Sequence, residues 1–356
     1  MSRYPRLLLD DEKLTENYRR LTDLCHQKGI SVAAVTKCCF SASAVVDCAV
    51  AGGADYIADS RISTLEKISS PLPRMCTRAT VPGEEAATVV GCEISLESSE
   101  EVMPALSAAA VLRGKAHRVV LMVDLGDLRE GVWFEDREGL FTLAQAVLRE
   151  PGLELYGLGT NLSCFGGILP EENNLRRLAD LAAELRARYN IPLPMVSGGA
   201  TSSLPLLLNG TMPPGITNLR LGESCLTGTD TSHHLPVPGQ HPDAFLLETK
   251  IIEIRSKPSV PVGTTGVNAF GEKPHFPDEG TLRRAVCAMG RVDTDLEALT
   301  PQDTRLRILG GSSDHTILDV TAAPELRVGD TVRFIPGYTA LMRASVTHYE
   351  YGRVDI

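Results

Sequence analysis

Lys37 closes an apolar run, SVAAVTK (31–37), and is followed at once by Cys38 and Cys39. A lysine at the end of a buried strand sits where the dielectric falls, which lowers its ammonium pKa and frees the amine for Schiff-base formation. The plain alternative is a strand-end cation held in solvent. Two later segments bear on that choice. SGGATSS (197–203) offers glycines, hydroxyls and the start of a helix, with Ser197, Gly199 and Thr201 among them. RLGES (220–224) repeats the arrangement with Arg220, Gly222 and Glu223. Both are features that hold phosphate through backbone N–H groups. Either alone reads as a turn; together with a strand-end lysine they point to a phosphorylated cofactor.

These residues act together only if a fold brings their strand ends to one place. Short apolar runs across the first two-thirds of the chain supply one: 31–37, ADYIADS (54–60), RMCTRAT (74–80), CEISLES (92–98), HRVVLMVDL (117–125), LELYGLGTNL (153–162), PMVSGG (194–199) and NLRLGES (218–224). Several are continuous rather than alternating, as expected of parallel strands covered on both faces. Helical patterns separate them, most clearly ENNLRRLADLAAELRARY, where Leu175, Leu178, Ala182 and Leu185 share a face. The expected fold is α/β, a (β/α)₈ TIM barrel, rather than an open dinucleotide-binding sheet. AVTKCCF stands where that sheet would need its glycine-rich first turn. In a barrel the C-terminal strand ends form the active face, and phosphate often sits between the last two strands, where SGGATSS and RLGES fall.

Near residue 227 the pattern changes. TGTDTSHHLPVPGQHPDAF reads as a linker, with His233 and His234 solvated in it. Beyond it LLETKIIEIR, AVCAMG, TRLRILG, TILDV, TVRFI and RASVTHYEY alternate as short strands do. The expected domains are a barrel over 1–230 and a C-terminal all-β domain over 231–356, with Leu7–Asp10 open to being a strand of the latter. A Gly/Pro-rich stretch, 257–280, reads as a long loop. Trp133 reads as a packing residue, and the acids of DTD (293–295) as either a turn or an acidic contact.

Composition narrows the function. A chain of 356 residues exceeds one ordinary core. The net charge of −10 argues against a nucleic-acid or anionic-membrane partner, since both need a basic surface. No stretch approaches the roughly 20 apolar residues of a membrane span. The run Leu7–Leu9 is ended by Asp10, Asp11 and Glu12, so no secretory leader is expected. Nine cysteines, an odd number without a CxxC pair, read as thiols and point to the cytoplasm.

DYIADSRI, VDLGDLREG, VSGGATSS, GITNLRLGES and LGGSSDHTILDV, with the strand-end lysine and the appended β domain, resemble the fold-type III pyridoxal-phosphate enzymes. This is the alanine racemase superfamily, and the closer likeness is to its ornithine racemase branch. The resemblance covers nearly the whole chain. It implies pyridoxal 5′-phosphate on Lys37 as a Schiff base, with Lys37 also an acid/base at the substrate α-carbon. Arg220 matches the arginine that hydrogen-bonds the pyridine nitrogen. Thr201, Gly222 and Glu223, in turns that include Ser197 and Gly199, match the phosphate cradle, and Tyr338 the tyrosine whose hydroxyl reaches the phosphate. Arg129 matches an arginine on the substrate side. Ser313 and Asp314 fall where the partner subunit's β domain closes over the substrate carboxylate, which implies a homodimer with shared sites.

The chain departs from the alanine racemase pattern at three positions. Asn161 replaces a histidine that packs against the ring. Met122 stands where many alanine racemases carry a carbamylated lysine, so that modification is not expected. Arg291 occupies the position of the tyrosine that serves as second base, and an arginine is a poor base. His315, Asp293 and Cys164 are the candidates for that role, with His315 taken first. The expected function is a pyridoxal-phosphate-dependent racemase of a small, basic amino acid, ornithine favoured, with Asp127, Asp293 or Asp314 meeting the side-chain ammonium. Two alternatives stay open. One is a D-amino-acid aldolase or dehydratase of the same fold, which carries a metal bound by a histidine and a downstream H-x-C or H-x-D pair. That pair is missing after His315, the only later histidine being His348, so no metal is expected. The other is a non-catalytic cofactor-binding protein, which the C-terminal domain argues against.

Overall fold

The computed structural model describes residues 4–233, 235–268, 270–346 and the backbone of 351–353. His234 and His348 therefore lie outside the described residues. The chain divides into two units, Asp11–His241 and, discontinuously, Met1–Asp10 with Pro242–Ile356.

The first unit is a closed ring of eight parallel strands. In spatial order they are Ile94–Glu97, Arg74–Cys76, Tyr56–Asp59, Ser31–Val35, Asn218–Leu221, Met195–Ser197, Leu153–Gly159 and His117–Asp124, the last pairing back with Ile94–Glu97. Every strand-like run of the first two-thirds forms one of these strands. His117–Asp124 explains why the runs are continuous. Val119, Leu121 and Val123 pack outward among helical residues such as Leu140, Leu178 and Leu185. Val120 and Met122 alternate with them and point inward, against Ala33, Ala58, Met75, Ile94, Leu96 and Met195. Both faces are dry, so both must be apolar. The helix Glu172–Tyr189 buries Leu175, Leu178, Leu181, Ala182 and Leu185; a reciprocal Glu171–Asn174 capping box starts it, and Asn190, at φ 52°, ends it.

Two local expectations are corrected. The first strand stops at Val35, so Lys37 belongs to the tight turn Lys37–Cys39 rather than to the strand. The linker is partly ordered: Thr229–Asp230 pairs with Leu235–Pro236, and His233, expected in solvent, lies 2.7 Å from the Asp230 carboxylate. Trp133, expected to pack, sets its ring against Phe134 at 4.7 Å between centroids while remaining 40% exposed.

The second unit is an antiparallel sheet in the order Leu299–Pro301, Thr331–Pro336, Phe245–Pro258, Thr281–Cys287, Thr316–Asp319, Arg307–Gly311. Arg6–Leu9 joins it by antiparallel pairing with Phe245 to Glu248. Of the loop expected over 257–280, residues 257 and 258 still belong to the strand Phe245–Pro258, and the described residues 259–268 and 270–280 form no helix or strand. Of RASVTHYEY (343–351), expected as a strand, the described residues 343–346 are instead the end of the helix Tyr338–Val346, while Tyr351 opens the strand Tyr351–Arg353, which pairs in parallel with Leu7 to Leu9. Ala340, Leu341 and Ala344 are the helix's buried residues, a helical spacing that outweighs the local alternation. Residues 347–350 lie outside the described residues.

Candidate active site

The turn carrying Lys37 is pinned at the C-terminal rim of the barrel. Thr36 N–H donates to the Ala58 carbonyl at 2.9 Å, the Thr36 hydroxyl lies 2.7 Å from Ser41 Oγ, and Ser41 donates to Asp59 at 2.7 Å. Lys37 is half-buried, and its ammonium has no hydrogen-bond or ion-pair partner among the described residues. Cys38 and Cys39 are buried. Contact with Cys39, reinforced by burial, raises the Cys38 thiol well above its ordinary value.

Arg220 comes from the neighbouring strand, whose Leu221 pairs with Ala34. It is only 3% exposed. Its guanidinium donates to the Thr160 carbonyl at 2.6 Å, to Asn161 Oδ1 at 2.7 Å and to Ser197 Oγ. All three acceptors are neutral, and burial pushes the Arg220 pKa down to about 10. The Ser197 hydroxyl in turn donates to Asn218 Oδ1 at 2.6 Å. An acceptor such as a ring nitrogen suits this donor better than a bare apolar wall does.

The two expected phosphate turns are brought together. Thr201 Oγ1 lies 3.1 Å from Ser224 Oγ and accepts the Ser224 N–H at 3.3 Å. Gly199, at φ 101°, makes the bend before Thr201 that a side chain would strain. The N–H groups of Thr201, Gly222 and Glu223 have no partner among the described residues, and the buried Ser202 hydroxyl has none either. Unsatisfied donors on two adjoining turns offer the chemistry of an anion nest. The Glu223 carboxylate is drawn off to Thr229 Oγ1 and Thr231 N–H, both at 2.9 Å, so only its backbone faces the nest. Burial raises its pKa. The residues present thus fit a phosphorylated, ring-nitrogen-bearing aldehyde: an unpaired amine, a buried donor and a nest.

The DLGDLREG loop folds back on itself. Asp124 accepts the Gly126 and Leu128 N–H groups at 2.8 and 3.2 Å. Gly131, at φ 126°, lies so close that a Cβ would come within 2.6 Å of Asp124 N. Arg129 pairs through Nε and Nη2 with Glu130. Burial opposes the Arg129 charge, but pairing with Glu130 outweighs it and raises the pKa. Asp127 is fully buried, and its two oxygens accept the N–H groups of Ser163 and Ile168 at 3.1 Å, Cys164 at 3.0 Å and Phe165 at 2.9 Å. Its lone pairs are spent on the 163–168 loop, which leaves none for a substrate ammonium. That loop presents Cys164, the exposed cysteine. Met122 is buried in the inner layer of the barrel.

In the β unit, two turns pack on each other. Arg291 N–H donates to the Ser312 carbonyl and Val292 N–H to the Ser313 carbonyl, both at 2.9 Å. Asp293 accepts the Gly290 N–H at 2.8 Å and Asp295 the Thr339 hydroxyl at 2.6 Å, which makes DTD a turn with one acidic contact. Ser313 is half-buried, while Asp314 and His315 are exposed, with His315 Nδ1 3.4 Å from Ser312 Oγ. Arg291 pairs with Glu297 and lies 5.0 Å from the Phe270 ring centroid. Tyr338, half-buried, opens the last helix. No group of three metal-binding side chains exists among the described residues.

Sequence reasoning missed Glu130, Ser202 and Asn218. Glu130 was adjacent to a singled-out arginine and Ser202 lay inside a singled-out motif, but direction of approach is not written in spacing.

Residues 9–229 match the family described as alanine racemase, N-terminal domain. The chain is 40% identical over 348 residues to an ornithine racemase of Acetoanaerobium sticklandii, covering 97% of this chain and 98% of that one. It is 33% identical over 349 residues to a lysine racemase of Thermotoga maritima, covering 97% of each. Its fold is also that of an alanine racemase from a D-cycloserine-producing Streptomyces lavendulae, at a TM-score of 0.76 and 16% identity, over 100% of this chain and 98% of that one. A barrel with an unpaired rim lysine, an anion nest and an appended β unit, matched in sequence over most of its length, belongs to the alanine racemase family.

Proposed function

We propose that this chain, an amino-acid racemase, holds pyridoxal 5′-phosphate at the barrel mouth and interconverts the enantiomers of ornithine. The observation that carries the reading is the unpaired Lys37 amine on the turn that follows the strand beside that of Arg220, with the Thr201 and Gly222 turns adjoining each other. When bound, the cofactor supplies the electron sink that acidifies the substrate α-proton. The N–H groups of Thr201, Gly222 and Glu223 and the Ser202 hydroxyl would hold its phosphate. Arg220 would donate to its ring nitrogen without surrendering a proton. Lys37 would bind its aldehyde carbon, and the same Nζ would take up or return the proton at the substrate Cα on one face.

Arg129 is assigned the substrate carboxylate. The opposite face needs its own acid/base, since one group cannot serve both faces without gross reorientation. His315 takes that role from the partner subunit, alongside Ser313 and Asp314, in a head-to-tail homodimer. Cys164 is the alternative within the barrel, and Asp293 is the least available because Gly290 N–H occupies it. Tyr338 is assigned the phosphate on resemblance alone. Ornithine is favoured because the ornithine racemase relative is more similar than the lysine racemase. No described helix is long and apolar enough to cross a membrane. With nine free cysteines, this supports a cytoplasmic enzyme.

The test is direct. Purified protein should racemise L-ornithine, followed by optical rotation, and Lys37→Ala should lose both the visible absorbance of the bound cofactor and the racemisation. Wild-type turnover by Lys37→Ala would overturn the assignment, and an active monomer would overturn the shared site.

A further inference from the structure

Glu130 stands outside every role assigned so far, yet it is the hub of the polar network at the barrel mouth. Its carboxylate receives Nε and Nη2 of Arg129, and the oxygen that takes Nη2, at 2.5 Å, also accepts the Asn161 amide NH₂. The Asn161 oxygen accepts Arg220 Nη2 at 2.7 Å. Reversing that amide would set NH₂ against a guanidinium and an oxygen against a carboxylate, so the network permits one orientation only. A single carboxylate therefore touches one arginine directly and reaches the other through one amide.

We propose that Glu130 is the positioning residue that joins the two halves of the site: it aims Arg129 at the substrate carboxylate and, through Asn161, holds Arg220 for the cofactor ring. The proposal rests on the functional reading above. Two physical points support it. Arginine is a long, rotamer-rich side chain, and side-on pairing with a carboxylate removes most of that freedom before a ligand arrives. Arg220 is bonded directly to neutral groups only, and the Glu130 carboxylate is, after Cys164, among the nearby groups that oppose the loss of its proton on burial.

The test is a double-mutant cycle of Glu130→Gln and Asn161→Ala. Three quantities are measured: uptake of pyridoxal 5′-phosphate by the cofactor-free protein, followed by absorbance; KM for L-ornithine; and the melting temperature of the cofactor-free protein. Glu130→Gln should raise both the cofactor Kd and KM by about tenfold, the scale of one lost hydrogen bond to a charged group. Asn161→Ala should raise the cofactor Kd similarly while changing KM less. Adding it to Glu130→Gln should change the cofactor Kd by no more than about twofold, since the path is already broken. A purely structural glutamate would lower the melting temperature and give additive losses. Additive losses, or a Glu130→Gln protein with wild-type Kd and KM, would overturn the proposal alone. Wild-type protein that takes up no pyridoxal 5′-phosphate would overturn the functional reading and this one with it.

Discussion

Asp127→Asn separates two roles for a buried acid. The carboxylate accepts four backbone N–H groups, two on each oxygen, at 2.9 to 3.1 Å. An asparagine keeps one oxygen, so whichever way it turns, two of the four N–H groups face an NH₂ donor. Hydrogen bonds to a charged group contribute about 1.5–3 kcal/mol each, so losing two costs roughly 4 kcal/mol. For a unit of this size that is a fall in melting temperature of roughly 8–16 °C. If the loop peels away locally instead, the loss appears as native-state cleavage within 163–168 rather than as a global shift. Thermal melting by circular dichroism and limited proteolysis read the two outcomes. The preference for ornithine over norvaline should survive in the remaining activity. A variant that melts and resists protease like the wild type, but no longer distinguishes ornithine from norvaline, would refute the loop-anchoring role and restore Asp127 to the substrate.

Ser202→Ala should act with opposite signs: removing a buried, unpartnered hydroxyl should stabilise the cofactor-free protein by roughly 1 kcal/mol. The same change should weaken pyridoxal 5′-phosphate binding, and equal affinity in titration would remove Ser202 from the nest. His117 is buried, which lowers its pKa from 6.5 to about 4. The folded state therefore binds fewer protons than the unfolded one between those values, and the contribution of about 3 kcal/mol, fully present above pH 6.5, is lost as pH falls toward 4. Melting scans across that window should show a shallower pH slope in His117→Asn than in the wild type; identical slopes would refute it. Exhaustive chelation should leave racemisation intact, because no described cluster of side chains could hold a divalent ion. Stoichiometric bound metal, with activity lost on its removal, would favour the aldolase or dehydratase reading.

The barrel was legible because each strand carries its own evidence. A run such as HRVVLMVDL is apolar at every position only if both faces are dry, and that condition is local. The glycine-rich turns were legible for the same reason, since turn residues declare themselves within a few positions, but the end of the first strand was not: it stops at Val35, and Lys37 opens the next turn. The all-β character of the second unit followed from alternation, but the helix Tyr338–Val346 did not, because its buried Ala340, Leu341 and Ala344 gain their value from packing. The pairing of Arg6–Leu9 with Phe245 to Glu248 was only one option among several in the sequence. Direction of side chains was not legible at all. Asp127 and Glu130 are three residues apart in one loop, yet one is turned inward to four backbone N–H groups and the other bridges two arginines from different segments. Sequence determined which residues lie at the barrel mouth, because period and turn chemistry are properties of neighbours along the chain. Tertiary structure decided what each one touches, because those hydrogen bonds close only between segments that the fold brings together.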